Sequence, residues 1–142
     1  MAIETALCNS YKLEILSGIH LASHTYKIAL FTETAVLNKN TTSYLGLYNE
    51  VGNANGYNTG GIVLSGFTTS LLNDTAILYF TTNPAWINSS IEARGALIYN
   101  DSLSNKNAVA VFNFGKNYSS INETFEIEMP IPGETTALIK IT

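Results

Sequence analysis

Two apolar runs separated by a polar loop decide the fold of this chain: ARGALIYN at residues 93–100 and AVAVFNFG at residues 108–115. The loop between them, DSLSNKN at residues 101–107, is almost wholly polar. Short apolar runs bounded by turn residues are typical of β-strands, and two such runs joined by a short polar loop are typical of a β-hairpin. The pattern therefore predicts a sheet protein built around this hairpin, with a bulge at Gly95 in its first strand.

Further strands are predicted on both sides of the hairpin. Their ranges, together with those of the hairpin, are 26–32, 62–68, 75–80, 85–87, 89–99, 108–114, 125–129 and 137–141. Seven or more short strands with turn signals between them favour a mainly β fold, either an antiparallel β-sandwich or an open barrel. The length of the chain fits a single β domain over residues 1–142.

The beginning of the chain has a helical pattern instead. Leu7, Tyr11, Ile15 and Ile19 recur at a spacing of four, which places them in one apolar stripe along a helix. The switch to strand periodicity comes near Thr25. The pattern therefore predicts one N-terminal α-helix within about residues 4–22, leading into the β domain.

The composition is poor in charge, and this bears on the class of partner. The chain is 46% hydrophobic and 13% charged with a net charge of −4, whereas an ordinary soluble domain is about 25% charged. A sparsely charged surface repels other copies weakly, which favours a protein that assembles with neighbours. We expect no nucleic-acid partner because there is no basic cluster. We expect no membrane partner because no apolar run approaches roughly 18 residues.

The start of the chain shows no secretory signal, because it lacks a basic segment followed by a hydrophobic one. Cys8 is the only cysteine, so no intrachain disulfide can form. Both observations favour synthesis in a reducing cytoplasm.

The residues that could carry chemistry form no complete site, so we expect no catalytic residues, no metal and no cofactor. His20 and His24 lie four apart but lack a third ligand nearby, and surface or capping histidines are the simpler interpretation. Residues 101–107 offer oxygen atoms at alternate positions, but Leu103 fills a ligand place in any calcium loop. The glutamates from which a two-carboxylate hydrolase would draw its pair are scattered: Glu33, Glu50, Glu92 and Glu123.

Contact residues for a partner are predicted from the helix and from one aromatic ring. Tyr57 lies among the glycines and asparagines of residues 52–61, where a large ring has little local core to join. Tyr118 and Trp86 are further candidates for exposed rings, which stack on sugars or on partner proteins. The predicted interface residues are Leu7, Tyr11, Ile15, Ile19 and Tyr57.

The order of several segments carries a family resemblance. The segments are TALCNSYKLEILSG at 5–18, YKIALFT at 26–32, NEV at 49–51, GYNTGG at 56–61, ARGALIYN at 93–100 and VAVFNFG at 109–115. In this order they resemble a group of small virion structural proteins encoded by tailed bacteriophages, particularly phages of aquatic bacteria. The resemblance covers nearly the whole chain, and its motifs are structural ones.

The resemblance implies a non-enzymatic virion structural protein, made in the cytoplasm of the host bacterium. A capsid decoration (cement) protein that binds coat subunits and a neck or tail component both fit, and the implied partners are those virion proteins and copies of the chain itself. Two other classes stay open. A carbohydrate-binding or adhesin-like module would show a line of exposed aromatic rings, and a small hydrolase would show carboxylates clustered in a cleft.

Overall fold

The computed structural model of the protein describes residues 2–142 and confirms a mainly β fold, with 43% of the chain in strands and 6% in helix. The predicted antiparallel sheets with one helix near the beginning of the chain are also confirmed, and the helix is short. The elements in chain order are β1 (Ala6–Leu7), α1 (Asn9–Leu16), β2 (Tyr26–Phe31), β3 (Ile62–Val63), β4 (Phe67–Leu72), β5 (Thr75–Phe80), β6 (Ala85–Ser89), β7 (Glu92–Asn100), β8 (Ala108–Ser119), β9 (Glu123–Glu126) and β10 (Ile139–Ile141).

The strands form three sheets in a sandwich-like arrangement. The largest has five strands in the order β1-β8-β7-β2-β3, the second has the order β10-β5-β4, and the third pairs β6 with β9. Neighbouring strands are antiparallel throughout. Ile28 to Phe31 of β2 are all fully buried. Because successive side chains of a strand point to opposite faces, the large sheet is covered on both faces at its centre.

The predicted hairpin is confirmed as β7 and β8, and the register between them shifts between Ala93 and Gly95, where the bulge is predicted. The space at Gly95 explains why a glycine stands there. A Cβ at this position would overlap the carbonyl oxygen of Phe112 and lie 2.9 Å from the side chain of Ile3. The glycine therefore lets the N-terminal segment and β8 approach the bulge closely.

Helix α1 lies within the predicted range of about residues 4–22 and fills only the middle of it. At its beginning, Ala6 and Leu7 pair with Val111 and Ala110 of β8, so they form a strand instead. At its end, Gly18 adopts a φ of +72° and the amide of Ile19 donates to the carbonyl of Glu14 at 3.0 Å. These two features form a Schellman-type helix end, in which the left-handed Gly18 follows the last helical residue, Leu16, by two positions.

The run predicted as one strand over residues 62–68 is two strands in different sheets. The chain leaves the large sheet after β3 and enters the three-stranded sheet at β4. Gly66 lies between them with a φ of +83°, and a Cβ there would overlap the side chain of Thr81. A change of direction at a glycine in the left-handed region is not visible in the apolar pattern, which continues through it.

The environment of Cys8 supports the prediction that this residue forms no crosslink, and a substitution can test it. Its side chain is fully buried, and burial, aided by nearby Glu14, raises the pKa of the thiol to about 12. We expect Cys8→Ala to keep the fold at a cost of about 1 kcal/mol or somewhat more in the free energy of unfolding. The native thiol should also resist thiol-specific reagents until the protein is denatured. Assembly that is lost under reducing agent and restored by oxidation would instead show an interchain disulfide.

Candidate functional site: an apolar groove beside an open strand edge

Tyr57, predicted as an exposed interface ring, is buried inside the domain, so its predicted exposure is wrong. Its side chain is 1% exposed. Its hydroxyl donates to Oε1 of Glu50 at 2.6 Å and accepts the amide of Leu30 at 2.9 Å. Burial, and then the hydrogen bond to Glu50, raise the pKa of Tyr57. Tyr57 therefore fastens the loop of residues 52–61 to strand β2.

The Glu50 carboxylate is the centre of a network that holds this loop. Tyr44 donates to its Oε2 at 2.6 Å, and the amide of Gly60 donates to Oε1 at 2.7 Å. The Tyr99 hydroxyl donates to the carbonyl of Gly60 at 2.6 Å, and the Tyr44 and Tyr99 rings stack with centroids 4.4 Å apart. Sequence reasoning placed Glu50 only among scattered carboxylates, because no local pattern links it to its partners Tyr44, Tyr57 and Gly60.

The predicted helical stripe of Leu7, Tyr11, Ile15 and Ile19 mostly completes the core of the domain. Tyr11 is buried, and Leu7 and Ile15 are half-buried against the core cluster. Of the helix residues predicted to contact a partner, Ile19 is exposed. A deletion of residues 1–20 would be the simplest test of partner binding by this stripe. It would also remove β1 and the buried residues Ile3 and Cys8, so it would disturb folding as well as binding.

His20 and His24 belong to an internal polar cluster rather than to a pair of surface histidines. The His20 side chain is 2% exposed, and its Nε2 lies 2.7 Å from Oε1 of Glu14. The side-chain amide nitrogen of Asn100 lies 3.1 Å from Nδ1 of His20 and 2.8 Å from Nδ1 of His24. Asn100 Oδ1 accepts the amide of Ser102, which leaves its NH₂ group to donate to both imidazoles. In this arrangement Nε2 of His20 faces Glu14 and its Nδ1 faces Asn100.

The loop of residues 101–107, which the sequence offers as a calcium site, already holds the ammonium group of Lys106 next to Asp101. Lys106 Nζ lies 3.0 Å from Oδ1 of Asp101 and donates to the Asp101 carbonyl at 2.7 Å. Lys27 Nζ lies 3.8 Å from the other carboxylate oxygen. Across residues 2–142 no three His, Cys, Asp or Glu side chains come together as a metal site. Over the same residues, no helix is both long enough and apolar enough to cross a membrane.

A groove of about 580 Å³ lies between helix α1, residues 20–22 and the three-stranded sheet. Its lining is largely apolar and contains no Asp, Glu, Lys or Arg. Apolar lining residues from both sides include Ile15, Ala22, Phe67, Leu78 and Ile139. The groove is therefore an uncharged depression on a protein that has few charges overall.

One end of this groove is an exposed apolar row across all three strands of the small sheet. Leu71 of β4 pairs with Ala76 of β5, and Ala76 pairs with Ile141 of β10. Leu71 is 70% exposed and Ile141 is 57% exposed. Sequence reasoning missed this row because its members are far apart in the chain and each looks like an ordinary strand residue.

A second depression, of about 440 Å³, is lined by the end of β8, by β9 and by the two residues after β9. Phe114, Tyr118, Glu126 and Glu128 contribute to its lining. Lys116 Nζ lies 4.9 Å from the centre of the Tyr118 ring, and Phe114 packs edge-on against that ring. Of the three rings expected to be exposed, Tyr118 is exposed, whereas Tyr57 and Trp86 are buried.

Comparison of the chain with protein-family models, with curated proteins and with solved structures finds no match.

Replacing Glu50 tests the network that holds the glycine-rich loop. In Glu50→Gln, one of the three donors at this carboxylate meets an NH₂ group instead of an oxygen. Because these groups lie in or beside the core, we expect the free energy of unfolding to fall by about 1–3 kcal/mol, measured by urea denaturation. Glu33→Gln is the matched control, since Glu33 is exposed and its change should stay within about 0.5 kcal/mol. Equal losses in the two variants would contradict the role given to Glu50.

The buried tyrosines predict that the protein loses stability in alkali. Burial raises the pKa of five tyrosines above the ordinary value of 10, to about 12 for Tyr11; the others are the buried Tyr26, Tyr57 and Tyr99 and the half-buried Tyr44. Above pH 10 the unfolded chain has released protons that the folded chain still holds, so rising pH favours unfolding. The stabilisation is complete below pH 10 and should decline steadily above it.

Denaturant titrations between pH 8 and pH 11.5 would measure this decline, with tyrosinate absorbance as the second readout. Tyr11→Phe removes one of the titrating groups, so its stability should fall less steeply with pH than that of the unaltered protein. A flat stability profile up to pH 11.5 would contradict the prediction.

Proposed function

We propose that the protein is a non-enzymatic structural subunit of a bacteriophage virion, a decoration (cement) protein that binds coat subunits of the head. A neck or tail subunit is the alternative position. The assignment to a virion rests on the resemblance in segment order. The shape and chemistry of the surface support a subunit that acts by binding other proteins.

The observation that carries the proposal is the exposed apolar row of Leu71, Ala76 and Ile141 beside an uncharged groove. Contiguous apolar surface of this kind marks interaction sites in soluble proteins. Burying it against a partner returns roughly 25 cal/mol for each Å² of apolar area removed from water. The low charge of the chain favours the same process, because little electrostatic repulsion opposes close packing of subunits.

The groove offers a partner mainly apolar contact area and few polar groups that could form directed hydrogen bonds. Small-molecule sites combine apolar walls with a few polar groups aimed at the ligand. Here the ring nitrogens of His20 are already engaged by Glu14 and Asn100. A protein surface that presents aliphatic side chains is therefore the partner that suits it best, and a coat subunit is the proposed one.

A carbohydrate-binding module is the second candidate, and one observation favours it. The depression lined by β8 and β9 brings an exposed ring, Tyr118, and the carboxylates of Glu126 and Glu128 into one lining. Sugars bind through such a combination of a ring face and polar acceptors. Calorimetric titration with bacterial surface glycans, with Tyr118→Ala as the control, tests this candidate separately.

The test of the proposed function begins with mass spectrometry of purified particles of the phage that encodes the protein. Ile141→Lys then places a charge in the apolar row. We expect incorporation to fall on the order of tenfold, as for a contact worth about 1.4 kcal/mol. The unfolding free energy should change by less than about 0.5 kcal/mol, because the side chain is largely exposed.

Ile87→Lys is the matched control, because Ile87 is 70% exposed on β6 in a different sheet. Its incorporation should equal that of the unaltered protein. Absence of the protein from particles, or equal incorporation of the two variants, would overturn the proposal.

A further inference from the structure

We infer that strand β4 pairs with β4 of a second copy about a two-fold axis at Thr69, joining two three-stranded sheets into one of six strands. The inference deepens the proposed assembly role by naming the contact between copies, and it rests on that role for its biological setting.

The first step is that the outer edge of β4 is open. Leu72 and Thr75 pair directly across the two-residue turn at Asn73 and Asp74, so they exchange both backbone hydrogen bonds. Pairing alternates along a strand, so Thr68 and Ser70 also face β5. The backbone groups of Phe67, Thr69 and Leu71 then point away from the sheet. Over residues 2–142 no hydrogen bond reaches these outward groups.

The second step is that this edge lacks the features by which natural proteins block pairing with another chain. Such edges are usually protected by charged side chains, prolines, bulges or very short strands. Strand β4 has the sequence FTTSLL, with neither charge nor proline. Its register with β5 runs without a shift from Phe67–Phe80 to Leu72–Thr75. The edge is therefore straight, uncharged and six residues long.

The third step identifies the occupant, because the edge is complementary to itself. An antiparallel copy centred on Thr69 places Phe67 opposite Leu71 of the second copy and Thr69 opposite its own equivalent. Each outward N–H then meets an outward C=O, and all three outward residues of each copy are used. Moving the axis by one residue to Thr68 or Ser70 leaves one outward residue of each copy unpaired. A strongly charged partner would find no opposite charge along β4.

The fourth step concerns the side chains. Phe67, Thr69 and Leu71 all lie on the groove face of the sheet, since alternate residues of a strand share a face. Pairing about Thr69 places the exposed side chain of each Leu71 beside Phe67 of the other copy, at a cross-strand distance of about 5 Å. The apolar floors of the two grooves then become continuous across the axis. A five-residue contact is short, so we expect a dissociation constant on the order of micromolar.

The oligomeric state of the full chain tests the inference directly. Sedimentation velocity from about 1 μM to about 1 mM should show a reversible monomer–dimer equilibrium. Over the same range, hydrogen exchange at the amides of Phe67, Thr69 and Leu71 should slow as concentration rises. A monomer throughout, or a dimer in which these three amides exchange freely, overturns the inference.

Two variants separate the edge from general surface effects. Leu71→Lys adds a charge to the edge, and Thr69→Pro removes an outward N–H that β5 does not use; each should weaken the dimer by roughly tenfold or more. Ile121→Lys, at a residue that is 76% exposed between β8 and β9, should leave it unchanged. Circular dichroism verifies that each variant is folded. Dimers of unchanged strength in both edge variants overturn the inference.

The failure of this inference can be distinguished from failure of the proposed function. A monomeric protein that is still found in particles overturns the β4 pairing and leaves the virion role intact. A dimer with protected edge amides that is absent from particles supports the pairing and overturns the virion role.

Discussion

The pairing of β7 with β2 on one side and β8 on the other is the interaction on which the rest of the structure depends. Every residue of β7 from Gly95 to Asn100 is buried, and its last two residues point to opposite faces. Tyr99 holds the glycine-rich loop through Gly60, whereas Asn100 holds His20 and His24. One strand end therefore positions both the 52–61 loop and the segment that borders the groove.

Local pattern was sufficient where an element is defined by its own residues. The hairpin and β5 follow from short apolar runs between turn residues, and the bulge at Gly95 follows from a glycine inside a strand. The helix fills only the middle of its predicted range, because pairing of Ala6 and Leu7 with β8 overrides helical periodicity at its beginning. Burial of Tyr57 was not predictable either, since its partners Glu50 and Leu30 lie in other elements and give no local signal.

Some of the charges of the chain are engaged inside its own fold, and the lining of the groove contains no Asp, Glu, Lys or Arg. Glu14 and Glu50 accept hydrogen bonds from several internal donors, and Asp101 is paired with Lys106 and Lys27. Carboxylates engaged in this way add little to the repulsion between molecules. The groove lining therefore holds none of the charged residues of the chain, and this distribution could not be read from composition alone.

The three-stranded sheet is anchored at one end and open at the other. Near the large sheet, Phe67 and Phe80 pack with Tyr26, with ring centroids 5.4 to 6.1 Å apart. Towards the β4–β5 turn, the row of Leu71, Ala76 and Ile141 has no such cover. Removing these aliphatic side chains from water would contribute roughly 25 cal/mol of favourable free energy for each Å² of apolar area buried. Since the anchored end already fixes the sheet, the open end is free to gain that energy from another subunit without any change in the domain itself.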